Sequence, residues 1–187
     1  MISILTTIST IIIDYYIINL LYYGYHRLIH LPIAGSLYRA HFIGHHKTEF
    51  PLRRLRANSY SADGSGGWFQ TGGELVFGIP VICILLIAYI TLSIYNFIIL
   101  VGVIAGVIIT GDIAHSSYHL NPTATNHPES LRIHKWLVMS DRFMEYRKLH
   151  DIHHATNNCN YGFADMTMDR VFGTYTKIPP PYLKYFS

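Results

Sequence analysis

Residues 75–111 form a nearly unbroken apolar run, and no other stretch limits the fold as tightly. As one helix the run would be roughly 55 Å long at about 1.5 Å per residue. The hydrocarbon core of a bilayer is only ~30 Å thick. Two helices joined by a tight hairpin fit that dimension better than one. The polar interruption Ser93-Ile94-Tyr95-Asn96 marks the expected turn. Gly102 and Gly106 add a small-xxx-small pair, a pattern that permits close helix contact in lipid.

Residues 2–25 are a second apolar run, again long enough for the roughly 20 residues that a crossing takes. No Lys or Arg precedes it and no small-residue cleavage site follows, so it reads as a retained span. Asp14 in its middle is costly in lipid. It is expected to face protein or water, or else to snorkel from a helix end. Tyr22, Tyr23 and Tyr25 close the run like an interfacial aromatic belt. Composition agrees: half of the 187 residues are hydrophobic and 13% are charged, about half the charge of an average soluble chain. Mean hydropathy is +0.24. The chain reads as an integral membrane protein. Its formal charge of +3 is too weak to argue for a nucleic-acid partner. Cys83 lies in an apolar run and Cys159 in a polar tail, so a disulfide is not expected.

Twelve residues are histidine, and ten of them fall into four boxes. His26 and His30 follow the first span, one helical turn apart. His41, His45 and His46 come next, then His115 and His119 after the second long run. His150, His153 and His154 close the series. Residues three and four apart on a helix are neighbours on one face. A face of neutral imidazoles is a metal-binding surface. One box alone reads as well as a His-rich solvated helix end, and it is the recurrence that argues for metal. The second box, at i, i+4 and i+5, is also expected to share a face. Ten candidates exceed the three or four protein ligands of one tetrahedral zinc and suit two metals. Imidazole accepts zinc, iron, copper and nickel, so spacing does not select among them. Asp112, Asp151 and Asp165 are candidate carboxylates for orienting imidazoles through their other ring nitrogen. Ordinary helix-end or loop acids are the alternative. His127 and His134 lie outside the boxes and read as surface or packing histidines. No catalytic residue beyond the metal ligands is identified.

The expected architecture is a single all-α integral membrane domain, residues 1–187. It has about three transmembrane helices, near 2–25, 75–92 and 97–113, and a histidine-rich helical cap from 26–74 and 114–187. In the cap, a short segment from Ser36 to Phe50 is helical and Asn58–Gly73 is a loop. Asn126–Glu129 starts a helix, and a helix or broken pair of helices runs from about Ser130 to His154 with Ser140 as an internal N-cap. Under three spans, all 12 histidines and all 14 Lys and Arg lie on one side. The positive-inside rule then makes the cap cytoplasmic and places the N-terminus opposite. Two spans would send the boxes to opposite sides.

The boxes also resemble those of the fatty acid hydroxylase / sterol desaturase superfamily. The closing run is the most specific part: Leu149-His-Asp-Ile-His-His-Ala, then Asn160-Tyr161-Gly162, then Asp169-Arg170-Val171-Phe172-Gly173-Thr174. Asp112-Ile-Ala-His-Ser-Ser-Tyr-His looks like the third box. The sequence departs from the pattern twice. Three residues, not two, separate His41 from His45, and Leu120 stands where many relatives carry another histidine. The resemblance implies an all-helical membrane fold with a cytosolic cap holding two irons, although zinc can take their place in a purified sample. It implies O2 as co-substrate and hydroxylation or desaturation of an unactivated C–H bond in a bilayer lipid. Electrons would come from cytochrome b5 or a reductase-type protein. The membrane would be the endoplasmic reticulum in a eukaryote or the inner membrane in a bacterium. Two other function classes carry the same residues: a non-catalytic metal-binding membrane scaffold and a zinc-dependent membrane hydrolase. Membrane haem binding fits less well, because every box lies at or beyond a span end.

Overall fold

The computed structural model describes residues 4–49, 73–119, 137, 139–162 and 165–177. Every regular element among them is helical. α1 is Ile4–Ile29, α2 is Arg39–Glu49, α3 is Gly73–Thr91 and α4 is Ile94–Tyr118. α5 is Asp141–Thr156 and α6 is Thr167–Val171. A 3-10 turn at Pro32–Ala34 and one helical turn at Ser36–Tyr38 lead from α1 into α2. The loop expected at Asn58–Gly73 lies outside the described residues up to its last position. His127, His134 and the helix start at Asn126–Glu129 lie outside them too.

Among the described residues two helices are long and apolar enough to cross a membrane, Ile4–Ile29 and Ile94–His115. Only 6% and 18% of their most apolar windows are buried. A core helix of a water-soluble domain would show the opposite. Ile4 is 78% exposed and Ile98 is 63% exposed, and such contiguous bare apolar surface suits lipid rather than water as the solvent. The described apolar part of α3, Pro80–Thr91, covers about 18 Å, short of the ~30 Å hydrocarbon core.

α3 and α4 form the hairpin expected from the sequence, with the turn at Leu92-Ser93 rather than further on. Ser93 caps α4 by accepting from the Asn96 backbone N–H at 3.4 Å, so Tyr95 and Asn96 already belong to the helix. Ile18 of α1, Ala88 of α3, and Leu100 and Ile104 of α4 form the core of a three-helix bundle. Phe97, Val103 and Val107 pack around it. In lipid such contacts act through close packing rather than through exclusion of water. The hydroxyls of Thr7 and Tyr95 are hydrogen-bonded across α1 and α4. Gly102 and Gly106 make no close helix contact here: a Cβ at either would meet nothing within 4 Å. Asp14 is half-buried on α1.

Beyond the bundle, Ala114 and Tyr118 of α4 pack against Phe143 of α5. Ser140 caps α5 as expected, accepting from the Phe143 N–H at 3.4 Å. Asn157 ends the helix in the left-handed region at φ 61°. Among the described residues, α5 therefore packs where α4 ends.

Candidate metal centre

The structure gathers all ten box histidines into two groups of five. His26, His30, His41, His46 and His153 form the first, and His45, His115, His119, His150 and His154 form the second. Within each group one ring nitrogen per residue lies within 4.8 Å of all the others. Nine of the ten are buried and His115 is half-buried. The two pentads share one plan. Each takes a pair one turn apart from the end of a candidate span: His26 and His30 at α1, His115 and His119 at α4. Each takes a pair from one cap helix and a single residue from the other. α2 gives His41 and His46 to the first pentad and His45 to the second. α5 gives His153 to the first, and His150 and His154 to the second. His46 and His154 stack with ring centroids 4.0 Å apart, so the pentads share a wall.

α2 explains how the odd second box works. It is a π-helix over Arg39–Glu49. In an α-helix, five residues turn the chain by roughly 140° past a full turn, which would point His46 away from His41. With i→i+5 bonding and roughly 4.4 residues per turn, positions i, i+4 and i+5 fan out on one face. α5 reaches the same fan by regular α geometry, with its histidines at i, i+3 and i+4. The extra residue between His41 and His45 is absorbed by the wider helix.

The Nε2 atoms converge. In the first pentad His26 and His46 approach His41 Nε2 at 2.9 and 3.2 Å. In the second a continuous series runs His45, His115, His119, His150, His154, with steps of 3.1, 3.2, 3.1 and 3.1 Å. An Nε2 carries one proton or one lone pair, so hydrogen bonding alone does not satisfy such a series. A shared cation does. Two nitrogens each ~2.1 Å from one ion are ~3.0 Å apart at a right angle and ~3.4 Å apart in a tetrahedron. The neighbouring Nε2 atoms, 2.9–3.2 Å apart, have the spacing of ligands to one ion. His153 gives the same result: its Nε2 is fully buried with no hydrogen-bond partner, while its Nδ1 is occupied. These residues fit a pair of metal ions.

Burial also sets the protonation state. Desolvation, helped by neighbouring imidazoles, holds His41, His46, His119, His150 and His153 well below the usual histidine value. Burial brings His30 down to about 4. The neutral imidazole that results is the form that ligates metal.

The groups seen orienting imidazoles are backbone carbonyls. His26 Nδ1 lies 2.7 Å from the Tyr161 carbonyl oxygen, and His153 Nδ1 lies 2.7 Å from that of Cys159. A carbonyl only accepts, so each Nδ1 carries the proton and each Nε2 presents its lone pair. Of the three acids singled out in the sequence, Asp165 accepts from Tyr15 and from Thr167. Asp151 is buried on α5. Asp112 lies on α4 with its side chain outside the described part. The sequence reading passed over Asp169, which is fully buried beside the orienting loop. The run Asn160-Tyr161-Gly162 … Asp169 was in view, but a carbonyl's role has no letter of its own.

A small cavity of ≈ 30 Å³ lies between α1 and α4, lined by Tyr15, Asn19, Tyr22, Thr110 and Asp165 among others. Tyr22 also packs edge-on against His26, at 6.5 Å between centroids. The cavity is thus one ring away from the first pentad.

The fatty acid hydroxylase family model matches residues 11–174, a stretch that includes every box and the loop that follows the last one. The chain belongs to the fatty acid hydroxylase family. No curated protein and no solved structure matches it significantly. Membership and geometry agree on a helical protein whose histidine clusters could bind metal. As a family, fatty acid hydroxylases imply lipid hydroxylation or desaturation.

Proposed function

We propose that this chain is a membrane-bound, O2-dependent lipid hydroxylase or desaturase holding two iron ions, one in each pentad. The observation that carries the reading is the convergence of ten imidazoles into two adjacent, buried, neutral pentads. Five candidate nitrogens in each group exceed the four ligands of a structural or hydrolytic zinc, which favours iron. Bound iron would supply, through O2, the oxidising power that an unactivated C–H bond requires. The chain's own residues hold the ions, keep the imidazoles neutral, and exclude water with the Tyr118, Phe143 and Tyr161 rings around them. In hydroxylation one O2 oxygen enters the C–H bond. The other leaves as water, with two electrons delivered one at a time by a separate donor such as cytochrome b5 or a reductase and two protons taken from the solvent.

The pentads also support three crossings. α1 and α4 both end at them, so a chain that crosses on α1 must return before it crosses again on α4. α3, with the apolar residues 75–92, is the segment available for that return. All 14 Lys and Arg then sit on the cap side, which makes that side cytoplasmic by the positive-inside rule. The membrane is that of the endoplasmic reticulum in a eukaryotic cell or the inner membrane in a bacterium. The substrate arrives sideways from the bilayer along the bare apolar faces of α1 and α4.

The test is metal analysis and O2 uptake of the detergent-purified protein, together with lipidomics of cells expressing it or a His153→Ala variant. Two irons per chain and an O2-dependent lipid product absent from the variant are expected. One zinc and no O2 uptake would favour a hydrolase instead. Bound metal with an unchanged lipid profile would favour a scaffold.

A further inference from the structure

We infer that Asp169 is a positioning residue for the first pentad alone, acting through the loop that orients His26 and His153. Asp169 touches none of the ten imidazoles in the contacts described. Its carboxylate accepts from the Tyr161 N–H at 2.8 Å, the Gly162 N–H at 2.8 Å and the Thr174 hydroxyl at 2.7 Å. Its backbone carbonyl accepts from the N–H groups of Thr174 and Tyr175 at 2.8 and 3.0 Å. Asn160, fully buried, adds a second fastening. Its amide donates to the carbonyls of Leu149 and Thr176, and its oxygen accepts from the Thr176 N–H. The stretch from Cys159 to Gly162 is therefore held from both sides.

That stretch presents two carbonyls, from Cys159 and Tyr161, and both meet imidazoles of the same pentad. Gly162 shows how tightly the loop is drawn in: a Cβ there would lie 2.1 Å from the Asp165 carbonyl oxygen. Two of the five first-pentad rings thus take their tautomer and angle from a loop that the Asp169 carboxylate fastens on one side. The inference rests on the two-ion reading above and assigns the loop's effect to one ion.

The experiment compares wild type, Asp169→Asn and Thr174→Val as full chains in detergent. Each is titrated anaerobically with Co2+, followed by its visible ligand-field bands and by metal bound after gel filtration. Wild type should bind two Co2+. Asp169→Asn should keep one and bind the other about 10–100-fold more weakly, with helicity unchanged by circular dichroism. Thr174→Val should weaken the same ion by less. Equal weakening of both ions, or two ions bound as in wild type, overturns the inference. Should Asp169→Asn fail to fold, Thr174→Val decides alone: selective weakening supports the assignment, and equal or no weakening overturns it. A wild type that binds no Co2+ overturns this inference together with the two-ion reading. Two wild-type ions without selectivity in the variants overturn this inference alone.

Discussion

His26 and His153 commit one ring nitrogen to a carbonyl and leave the other facing their pentad. Their replacement should therefore act on metal before it acts on fold. His153→Ala is expected to abolish activity and lower bound metal while membrane insertion is retained. Wild-type turnover in that variant would remove the site. Gly162→Ala tests the loop in a different way, because its Cβ would press on the Asp165 carbonyl. Overpacking of this kind costs about 1–3 kcal/mol, read as a lower melting temperature in detergent. The ten histidines were legible as letters and as spacing. The carbonyls of Cys159 and Tyr161 were not, because every residue has a carbonyl and only the fold selects two. Asp169 was hidden for the same reason, since its importance passes through those carbonyls.

At the scale of elements, α2 departs furthest from what spacing suggests. A shared face for His41, His45 and His46 was expected, yet a regular α-helix would not give one. The π-helix does, and nothing in Arg39–Glu49 announces it. A deletion tests this account. Removing Ile43, which is exposed, turns the box into the i, i+3, i+4 spacing that α5 uses. Binding of both ions should survive, with α2 returned to ordinary α geometry. Loss of all metal from the deletion variant would show that the π geometry serves some other end. The long helices were easier to read, because an apolar run of bilayer length has few other uses. The hairpin fell within a residue or two of the polar interruption, where a serine cap is a local and readable signal.

For the whole molecule the buried imidazoles make stability depend on pH. The folded-state values of His30, His41, His46, His119, His150 and His153 lie below the ordinary ~6.5, so the unfolded chain takes up protons first as the pH falls. Stability present above pH ~6.5 is then lost progressively towards the value of about 4 at His30. The metal-free protein should melt at a lower temperature at pH 5 than at pH 7.5, and a melting point flat across that range would contradict the buried neutral cluster. Topology has its own check. A tag in the Leu92-Ser93 turn should be reached from the opposite side of the membrane to a tag at the C-terminus. Reaching both from one side would remove the third crossing. The two long apolar helices were readable from the length of their runs. The division of the histidines into two sets was not, because it depends on how two cap helices lie across each other.

That division has a consequence for how such a protein can change. α2 and α5 each serve both pentads, so a slide or rotation of either helix disturbs both together. A change that retunes one pentad while sparing its neighbour is therefore easier in the polar stretch after α5 than in the helices. The two helices should therefore be inherited as a block.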